Sequence, residues 1–384
     1  MQQPPIKILH IITGLHAGGA EMMLYKLCAT LDRKMFAPHV IALTNGGVVG
    51  DRLTGLGVDV DYLNLTSAST SVGAVAKLVK RVRKLRPDVI QGWMPHGNLA
   101  AILGSAATLG RTPVAWNVRQ SLDLESGRDA KRTTAWIIRL GAALSWWPGV
   151  VIYNSYTGMK QHHTIGYRTM RSVAIPNGFD TDAFVPSPEA RASLRAELGL
   201  PPDAFLIGLI ARFHPMKDHP TFLRAAAMAA ERHPTVRFVL VGAGVTSENP
   251  TLKSLLHELQ LLDRVHLLGQ RTDIARLTAA LDIATSSSRT LEGFSNSIGE
   301  AMSCGVPCVA TDVGDASYLV GDTSKVVPPG DVTALVDAWQ DVWSLPLSER
   351  QRLGAIARNR IISNFSVDSV AAKYAEVYKH VANS

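Results

Sequence analysis

Short apolar runs rich in β-branched residues alternate with amphipathic stretches along almost the whole chain. Ile6–Ile12, Val40–Leu43, Val58–Tyr62, Val89–Gln91, Val114–Trp116 and Val150–Tyr153 predict strands in the first half. Leu206–Ile210, Phe238–Val241, Val265–Leu268, Ile283–Thr285 and Cys308–Thr311 predict strands in the second. Between them Ala20–Leu31, Val75–Leu85, Leu99–Thr108, Pro220–Glu231, Leu252–Leu259 and Asn296–Ser303 space their apolar residues three and four apart, as helices do. Strands that are apolar throughout and separated by helices predict parallel sheets covered on both faces. The chain does this twice.

The pattern lapses at residues 176–203, which hold five prolines and a cluster of turn formers, and this places a domain boundary near residue 180. The first domain is then 1–180 and the second 181–365. After a helix-like run from Ser348 to Asn364, the amphipathic run Val367–His380 makes 366–384 a terminal helix. No internal repeat or low-complexity tract is present. Two doubly wound domains are expected to bind ligand in the crevices beyond the carboxyl ends of their strands.

Composition narrows this. A length of 384 residues suggests two to three domains, and 46% hydrophobic with 18% charged residues describes a folded chain. Cys28, Cys304 and Cys308 are too few and too scattered for a disulfide framework or a zinc site, so reduced thiols and a cytoplasmic location are expected. The start, MQQPPIKILHIITG, has no basic leader or small-residue cleavage site and reads as a first strand. The most apolar long window, Ala135–Ile152, contains Arg139 and Pro148 and makes a poor membrane span. Charge is uneven. Residues 1–180 carry 20 basic and 10 acidic side chains, a net +10, whereas 181–384 carry 19 and 22, a net −3. The first half is therefore expected to face something anionic.

Three segments combine residues with chemical potential. Thr13-Gly14-Leu15-His16-Ala17-Gly18-Gly19-Ala20-Glu21 lies between the first strand and a helix, where glycines let backbone amides approach an anion. It matches neither the dinucleotide fingerprint nor a P-loop, and a turn that needs glycine for geometry alone explains it equally. Arg212 and Lys217, in Ala211-Arg212-Phe213-His214-Pro215-Met216-Lys217-Asp218-His219, follow a strand and suit a diphosphate as planar fork and point charge. The spacing alone leaves a solvated basic loop open. In the run from Glu292 to Pro307, Ser295 or Asn296 caps a short helix that Gly305 and Pro307 close. Glu292 precedes that helix and Glu300 sits about a turn inside it. One carboxylate so deep on the helix suits hydrogen bonds to hydroxyls better than acid–base work across one bond. Surface glutamates are the plainer reading of the pair alone.

Together these segments resemble the retaining glycosyltransferases of family 4, which have the GT-B fold. The matching stretches are GLHAGGAE, IPNGFD at 175–180, ARFHPMKDH at 211–219 and EGFSNSIGEAMSCGVPCVATD at 292–312. Seven residues separate Glu292 from Glu300, the family's carboxylate pair. VIQGWMPHGNLA, WNVRQSL and VIYNS resemble the bacterial polysaccharide and lipopolysaccharide members. The resemblance implies two Rossmann-like domains facing across a cleft, closing on the ligand, with the C-terminal helix packing back toward the first domain. It implies transfer of a hexose from a UDP- or GDP-sugar to a lipid-linked or glycan acceptor, with retention, without a metal and without a cofactor. A synthase with a small soluble acceptor and a non-catalytic nucleotide-sugar-binding subunit are the alternatives.

By the same resemblance Arg212 and Lys217 bind the donor diphosphate, Glu300 holds the ribose, and Glu292 with the amides of Gly293, Phe294 and Ser295 orients the sugar. Gly18 and Gly19 bring amides to the diphosphate, Gly242-Ala243-Gly244 and Leu268-Gly269-Gln270 line the nucleotide and base pocket, and His96 approaches the donor sugar. One residue departs from the family pattern, which often has Lys-Gly where this chain has Lys217-Asp218. Asp218 either weakens the lysine's field or caps the helix that begins at Pro220, and the cap is the better start signal.

The acceptor side rests on charge. Residues 74–86 carry six basic residues and no acidic one, with positions 75, 78, 79, 82 and 85 forming an apolar face. Such a helix lies against an anionic membrane surface or is the solvated face of a packed helix. A second basic and aromatic stretch, Arg128–Trp147, holds Lys131, Arg132, Trp136, Arg139, Trp146 and Trp147, and either borders an acceptor groove or buries its tryptophans. Nucleic acid is not an expected partner, because no recognition helix, RNA motif or aromatic platform accompanies the charge. Peripheral attachment to the inner face of the cytoplasmic membrane is.

Overall fold

The structure, a computed structural model, describes residues 4–65, 72–122 and 132–383. It divides into two units, Met1–Gly178 with Val367–Ser384, and Phe179–Ser366.

The first unit runs β1 (Ile6–Ile12), α1 (Gly19–Thr30), β2 (Phe36–Ala42), α2 (Val48–Gly55), β3 (Asp59–Tyr62), α3 (Val72–Leu85), β4 (Val89–Trp93), α4 (Met94–Ala107), β5 (Val114–Val118), α5 (Arg132–Leu144), β6 (Val150–Tyr153), α6 (Tyr156–Thr164) and β7 (Ser172–Ala174). The second runs α7 (Pro188–Glu197), β8 (Phe205–Ile210), α8 (His219–Arg232), β9 (Val236–Val241), α9 (Pro250–Glu258), β10 (Val265–Leu267), α10 (Ile274–Ala279), β11 (Ile283–Ser286), α11 (Asn296–Ser303), β12 (Cys308–Thr311), α12 (Ala316–Val320), β13 (Lys325–Val327), α13 (Val332–Trp343) and α14 (Leu347–Phe365). The last helix, α15 (Val367–Ala382), returns to the first unit.

Every pair of adjacent strands is parallel. The strand orders are β3-β2-β1-β4-β5-β6-β7 and β10-β9-β8-β11-β12-β13. The order reverses between β1 and β4 in one sheet and between β8 and β11 in the other, the point where such sheets open a crevice. β7 and β13, the strands that periodicity did not predict, have three residues each and sit at sheet edges, too short to show a repeat.

The proline-rich segment 176–203, where the strand and helix pattern lapses, contains α7. Ser187 caps it, its hydroxyl accepting from the Ala190 amide at 3.0 Å, and Pro188 occupies the first turn. Arg195 pins the helix down. It is 1% exposed and donates to Asp282 Oδ2 at 2.6 Å and to the carbonyls of Ala204 and Ala280.

In the first unit two cores flank the sheet. α1 and α15 share one with Ile8, Val40 and Trp93, while Leu78, Val82, Ala101 and Ile138 from α3, α4 and α5 share the other with Leu9, Ile41 and Trp116. α15 is held by polar contacts as well as burial. Its Tyr378 hydroxyl donates to the Gln91 side chain, and Asn117 Nδ2 donates to Tyr374 Oη at 2.7 Å. Beside them lies His10, fully buried, whose Nδ1 accepts from Trp93 Nε1 at 3.2 Å.

Burial lowers the pKa of His10 to about 3 and those of His162 and His219 to about 4. Each is neutral when folded but takes up a proton near pH 6.5 once unfolded. Below that pH the unfolded state binds more protons, so stability is complete above about pH 6.5 and declines toward about pH 4, by about 1.4 kcal/mol per pH unit for each histidine. Urea midpoints measured from about pH 8 to about pH 4 are expected to fall in that window. His10→Gln is expected to remove one histidine's share of the slope, and an unaltered slope would show that His10 does not contribute.

Candidate active site

At the reversal point of the second sheet, a cavity of 400 Å³ is bordered by Phe184, Ile210, Ala211, Arg212, Lys217, Val241, Gly242, Gln270, Arg271, Ile274, Glu292, Asn296, Ser297 and Glu300. Its walls are the loops leaving β8, β9, β10 and β11 together with the first turns of α11. These loops are zipped backbone to backbone. Ala211 N donates to Val241 O at 2.8 Å, Phe213 N to Ala243 O at 2.8 Å, and Gly242 N to Gly269 O at 2.8 Å. Gly242, with φ +155°, is where they come closest: a Cβ there would overlap the Ala211 carbonyl.

Arg212 projects from the end of β8, exposed and without an ion pair to any described residue. Lys217, in contrast, pairs with Glu292, both being mostly buried. Two neighbouring serines hold the loops that carry this pair. Ser287 Oγ donates to Lys217 O at 2.8 Å, and Ser288 Oγ donates to Glu292 Oε2 at 2.9 Å. Thr311 Oγ1, from the next strand, donates to Ser288 O at 2.6 Å.

Asp218 turns away from the cavity. Its Oδ1 accepts from the Thr221 amide at 3.2 Å to cap α8, and its Oδ2 accepts from Arg289 Nε at 2.9 Å. The helix-cap reading of the departure from Lys-Gly is the one the geometry takes, and Arg289 offsets the negative charge. Asp218 (φ +47°) and Leu291 (φ +60°) are both left-handed, so the backbone is strained beside Lys217 and beside Glu292.

Glu300, the fifth residue of α11, borders the same cavity as Glu292. No side chain caps the N-terminus of α11, and Asn296 and Ser297 in its first turn face the cavity. Gly305 (φ +67°) closes the helix, with Gly305 N bonded to Met302 O and Val306 N to Ala301 O. Arg271 arrives already balanced. It donates to Asp273 and Glu197, and those bonds raise its pKa while holding Asp273 well below the usual carboxylate range.

Several expected residues are placed otherwise. Leu268 packs against the core, whereas Gln270 from the same expected stretch borders the cavity, joined by Arg271. Phe294 buries its ring against Phe179 and Phe365, at centroid distances of 6.1 Å and 5.5 Å, so only its backbone is available to a ligand. Gly293 and Ser295 flank it in the loop and are not among the residues bordering the cavity. Gly18, Gly19 and His96 belong to the first unit. Gly18 caps α1 and Gly19 opens it, and the Glu21 carboxylate folds back so closely that a Cβ on Gly18 would overlap it. The helix end that was to receive an anion thus already has a carboxylate beside it, one whose pKa burial raises. His96 lies exposed in the first turn of α4, two residues beyond Met94 (φ +64°).

Sequence reasoning missed Ser288 and Gly314. Ser288 stands four residues before Glu292, a spacing that only the fold of the loop makes meaningful. Gly314 (φ +64°) lies where a Cβ would overlap the Glu292 carbonyl, and Asp315 N donates to Gly293 O at 3.0 Å, so this turn buttresses the glutamate loop.

A cavity with one unpaired arginine, one lysine shared with a carboxylate and a second carboxylate on a helix suits a ligand that is both anionic and polyhydroxylated. Comparison with known proteins agrees. The family described as "Glycosyltransferase Family 4" matches residues 17–183, and that described as "Glycosyl transferases group 1" matches residues 204–344. EpsF of Bacillus subtilis, provisionally described as a glycosyltransferase, is 24% identical over 308 residues, 80% of this chain and 79% of that protein. LpsB of Rhizobium meliloti, a lipopolysaccharide core biosynthesis mannosyltransferase, is 30% identical over 226 residues, 56% of this chain and 63% of that protein. The crystal structure of Anabaena HepE with UDP and glucose superimposes with a TM-score of 0.83 at 25% identity, covering 98% of this chain and 100% of that one.

Gly314→Ala is expected to cost more than about 1 kcal/mol, through a strained φ and displacement of the Glu292 loop. That lowers the thermal midpoint by at least about 2 °C for a domain of this size. Gly55→Ala, where nothing lies within 4 Å of the added carbon, is the control and is expected to leave it unchanged. Equal midpoints for the two variants would remove Gly314's role as buttress.

Proposed function

Given that the chain belongs to the family 4-type glycosyltransferases, with two Rossmann-like units of the GT-B fold, we propose that it is a retaining, metal-independent enzyme. It moves a hexose from a UDP- or GDP-sugar to a lipid-linked or glycan acceptor in the assembly of cell-surface polysaccharide. The observation that carries this is the cavity of the second unit, which gathers Arg212 and Lys217 from one segment and Glu292 and Glu300 from another. The polysaccharide side is supported by the lipopolysaccharide relative, and a nucleotide-sugar donor by the UDP and UDP-glucose complexes of HepE.

In this reading Arg212 forks onto the diphosphate and Lys217 exchanges the Glu292 carboxylate for a phosphate oxygen. The two cations then offset the charge that develops on the departing nucleotide, which lowers the barrier to cleavage of the sugar–oxygen bond. They supply the positive charge that a metal would otherwise bring. Ser288 keeps its hydrogen bond to Glu292 as the lysine leaves, so the carboxylate stays oriented toward the sugar hydroxyls. Glu300 accepts from the ribose hydroxyls, while the part of the Gly293, Phe294 and Ser295 amides in the sugar subsite rests on the resemblance, since none of the three borders the cavity. With the acceptor hydroxyl entering on the face the diphosphate leaves and passing its proton to the departing phosphate oxygen, the new sugar–oxygen bond replaces the old one and configuration is retained without a protein nucleophile. The roles of Gly18, Gly19 and His96 rest on the resemblance alone.

A thermal-shift panel of UDP- and GDP-sugars identifies the donor, because a ligand that binds the folded state raises its midpoint. With that donor, Arg212→Ala and Lys217→Ala are each expected to lower transfer about 10²–10³-fold. Ser288→Ala is expected to lower kcat about tenfold while leaving nucleotide affinity near its original value, as loss of one hydrogen bond to a charged group implies. NMR of the product reads the anomeric configuration. Wild-type turnover in Arg212→Ala and Lys217→Ala would remove the diphosphate assignment, and nucleotide binding without transfer or hydrolysis would favour a non-catalytic subunit.

A further inference from the structure

α3, α4 and α5 cover one face of the first unit's sheet, α3 packing on α4 and α4 on α5. None of these three helices contains an aspartate or a glutamate. Their cations are not equally available. Arg81 pairs with Asp61 at 3.1 Å, and Arg83 Nε donates to the Ala107 carbonyl at 3.1 Å, at the end of α4. Lys77, Lys80 and Lys84 are exposed with no ion pair to a described residue. The apolar side of α3 is spent on the fold, since Leu78 and Val82 are in the core. Of the large apolar side chains described on this helix only Val75 is exposed, so it offers a membrane chiefly charge.

The apolar surface is on α5 instead. Ile138 points inward, whereas Trp136 (71% exposed), Leu140 (49%) and Ala143 face outward at helical spacing, and Trp146 (52%) continues the stripe just past the helix end. Arg139 is exposed beside them. Indole and leucine side chains outside a core are costly in water but suit the headgroup boundary of a bilayer, where a ring can bury its body and keep its N–H wet. Neither signal suffices alone. A few apolar side chains bind lipid only reversibly, and a polybasic patch needs an anionic surface, but the two together give stable attachment. Arg128 and Lys131, which the sequence placed in the same stretch, lie outside the described residues.

We propose that the outward face of the α3–α4–α5 layer docks the protein onto an anionic lipid bilayer. Trp136, Leu140 and Trp146 sit at the headgroup boundary, and Lys77, Lys80, Lys84 and Arg139 lie over the lipid phosphates. The complementarity is specific to a surface that is both negative and apolar beneath. A free phosphate or nucleotide would satisfy the cations and leave the indoles in water. The inference extends the reading of a lipid-linked acceptor, which would be presented at that surface, and its test uses no sugar donor, so the two fail separately.

The full chain is floated with vesicles of phosphatidylcholine alone, and with vesicles containing about 30 mol % phosphatidylglycerol, at about 0.05 M and about 0.5 M salt, a range over which screening becomes strong. Binding is expected to the anionic vesicles and to drop at least about tenfold at high salt. A Trp136→Ser, Leu140→Ser double variant is expected to lose about tenfold in partitioning at low salt, and a Lys77→Gln, Lys80→Gln, Lys84→Gln triple variant to lose both the binding and its salt dependence. All of these changes are at exposed positions, and a circular-dichroism spectrum and thermal midpoint equal to those of the parent confirm an intact fold. Bromine-labelled lipid is expected to quench tryptophan fluorescence less in Trp136→Phe than in the parent. Absence of binding to anionic vesicles would overturn the proposal. So would unchanged partitioning of the double variant, or concentration-dependent dimers that the same double variant abolishes.

Discussion

Parallel pairing is the constraint on which the rest of this structure depends. A strand can lie parallel to its neighbour only if the chain returns to the same edge, so each step is a strand, a loop, a helix and a loop back. The loops at the carboxyl ends of all strands in a sheet therefore collect on one side, whatever their separation in sequence. Arg212 and Glu292 are eighty positions apart and follow β8 and β11, which are neighbours in the sheet. The glycine at 242 lets the loop of β9 press against that of β8, the Ser287 hydroxyl stitches the loop of β11 to the Lys217 carbonyl, and the Ser288 hydroxyl holds Glu292 within that loop. The site is a by-product of sheet order, tightened by a few small residues.

Charge in the site is arranged unequally. Lys217 and Arg271 are each matched by carboxylates, Asp218 is matched by Arg289, and Arg212 has no ion pair to a described residue. A mostly buried ion pair such as Lys217–Glu292 gives little net stability, because desolvation offsets most of its attraction. Its value is positional. The two chains of hydrogen bonds that reach it, from Ser288 and from the backbone of Lys217 through Ser287, fix both side chains before any ligand competes for the lysine. Left-handed backbone at Asp218 and Leu291 belongs to the same arrangement, with strain held where the surrounding contacts over-determine the chain.

In the first unit the polar groups do different work. His10, Gln91, Asn117, Tyr374 and Tyr378 form a buried seam between the sheet and α15. Such a seam specifies how the terminal helix sits, since a slipped helix would strand several polar groups without partners. On the opposite face of the same sheet α3, α4 and α5 carry no acidic residue at all, and the exposed Lys77, Lys80 and Lys84 contribute there to the net +10 of residues 1–180.

The sequence by itself determined the α/β alternation, the two sheets and the central strands, because a continuous apolar run between helices has few other solutions. It also singled out Arg212, Lys217, Glu292 and Glu300, since each stands in a local pattern of glycine, cap and charge that is readable within about ten residues. The edge strands β7 and β13 and the helix α7 were not legible. β7 and β13 are too short to show a period, and one of the prolines that marked the boundary, Pro188, starts a helix whose anchor, Asp282, is far along the chain. Tertiary structure alone decided that Leu268 and the Phe294 ring serve the core, that Asp218 caps α8 and meets Arg289, and that Ser288 and Gly314 hold the Glu292 loop. It alone decided that the apolar side of the basic helix is buried while Trp136 is not. The reason is the same in each case: local pattern records which face of an element is apolar or charged, whereas the partner that meets that face comes from a strand or loop remote in sequence.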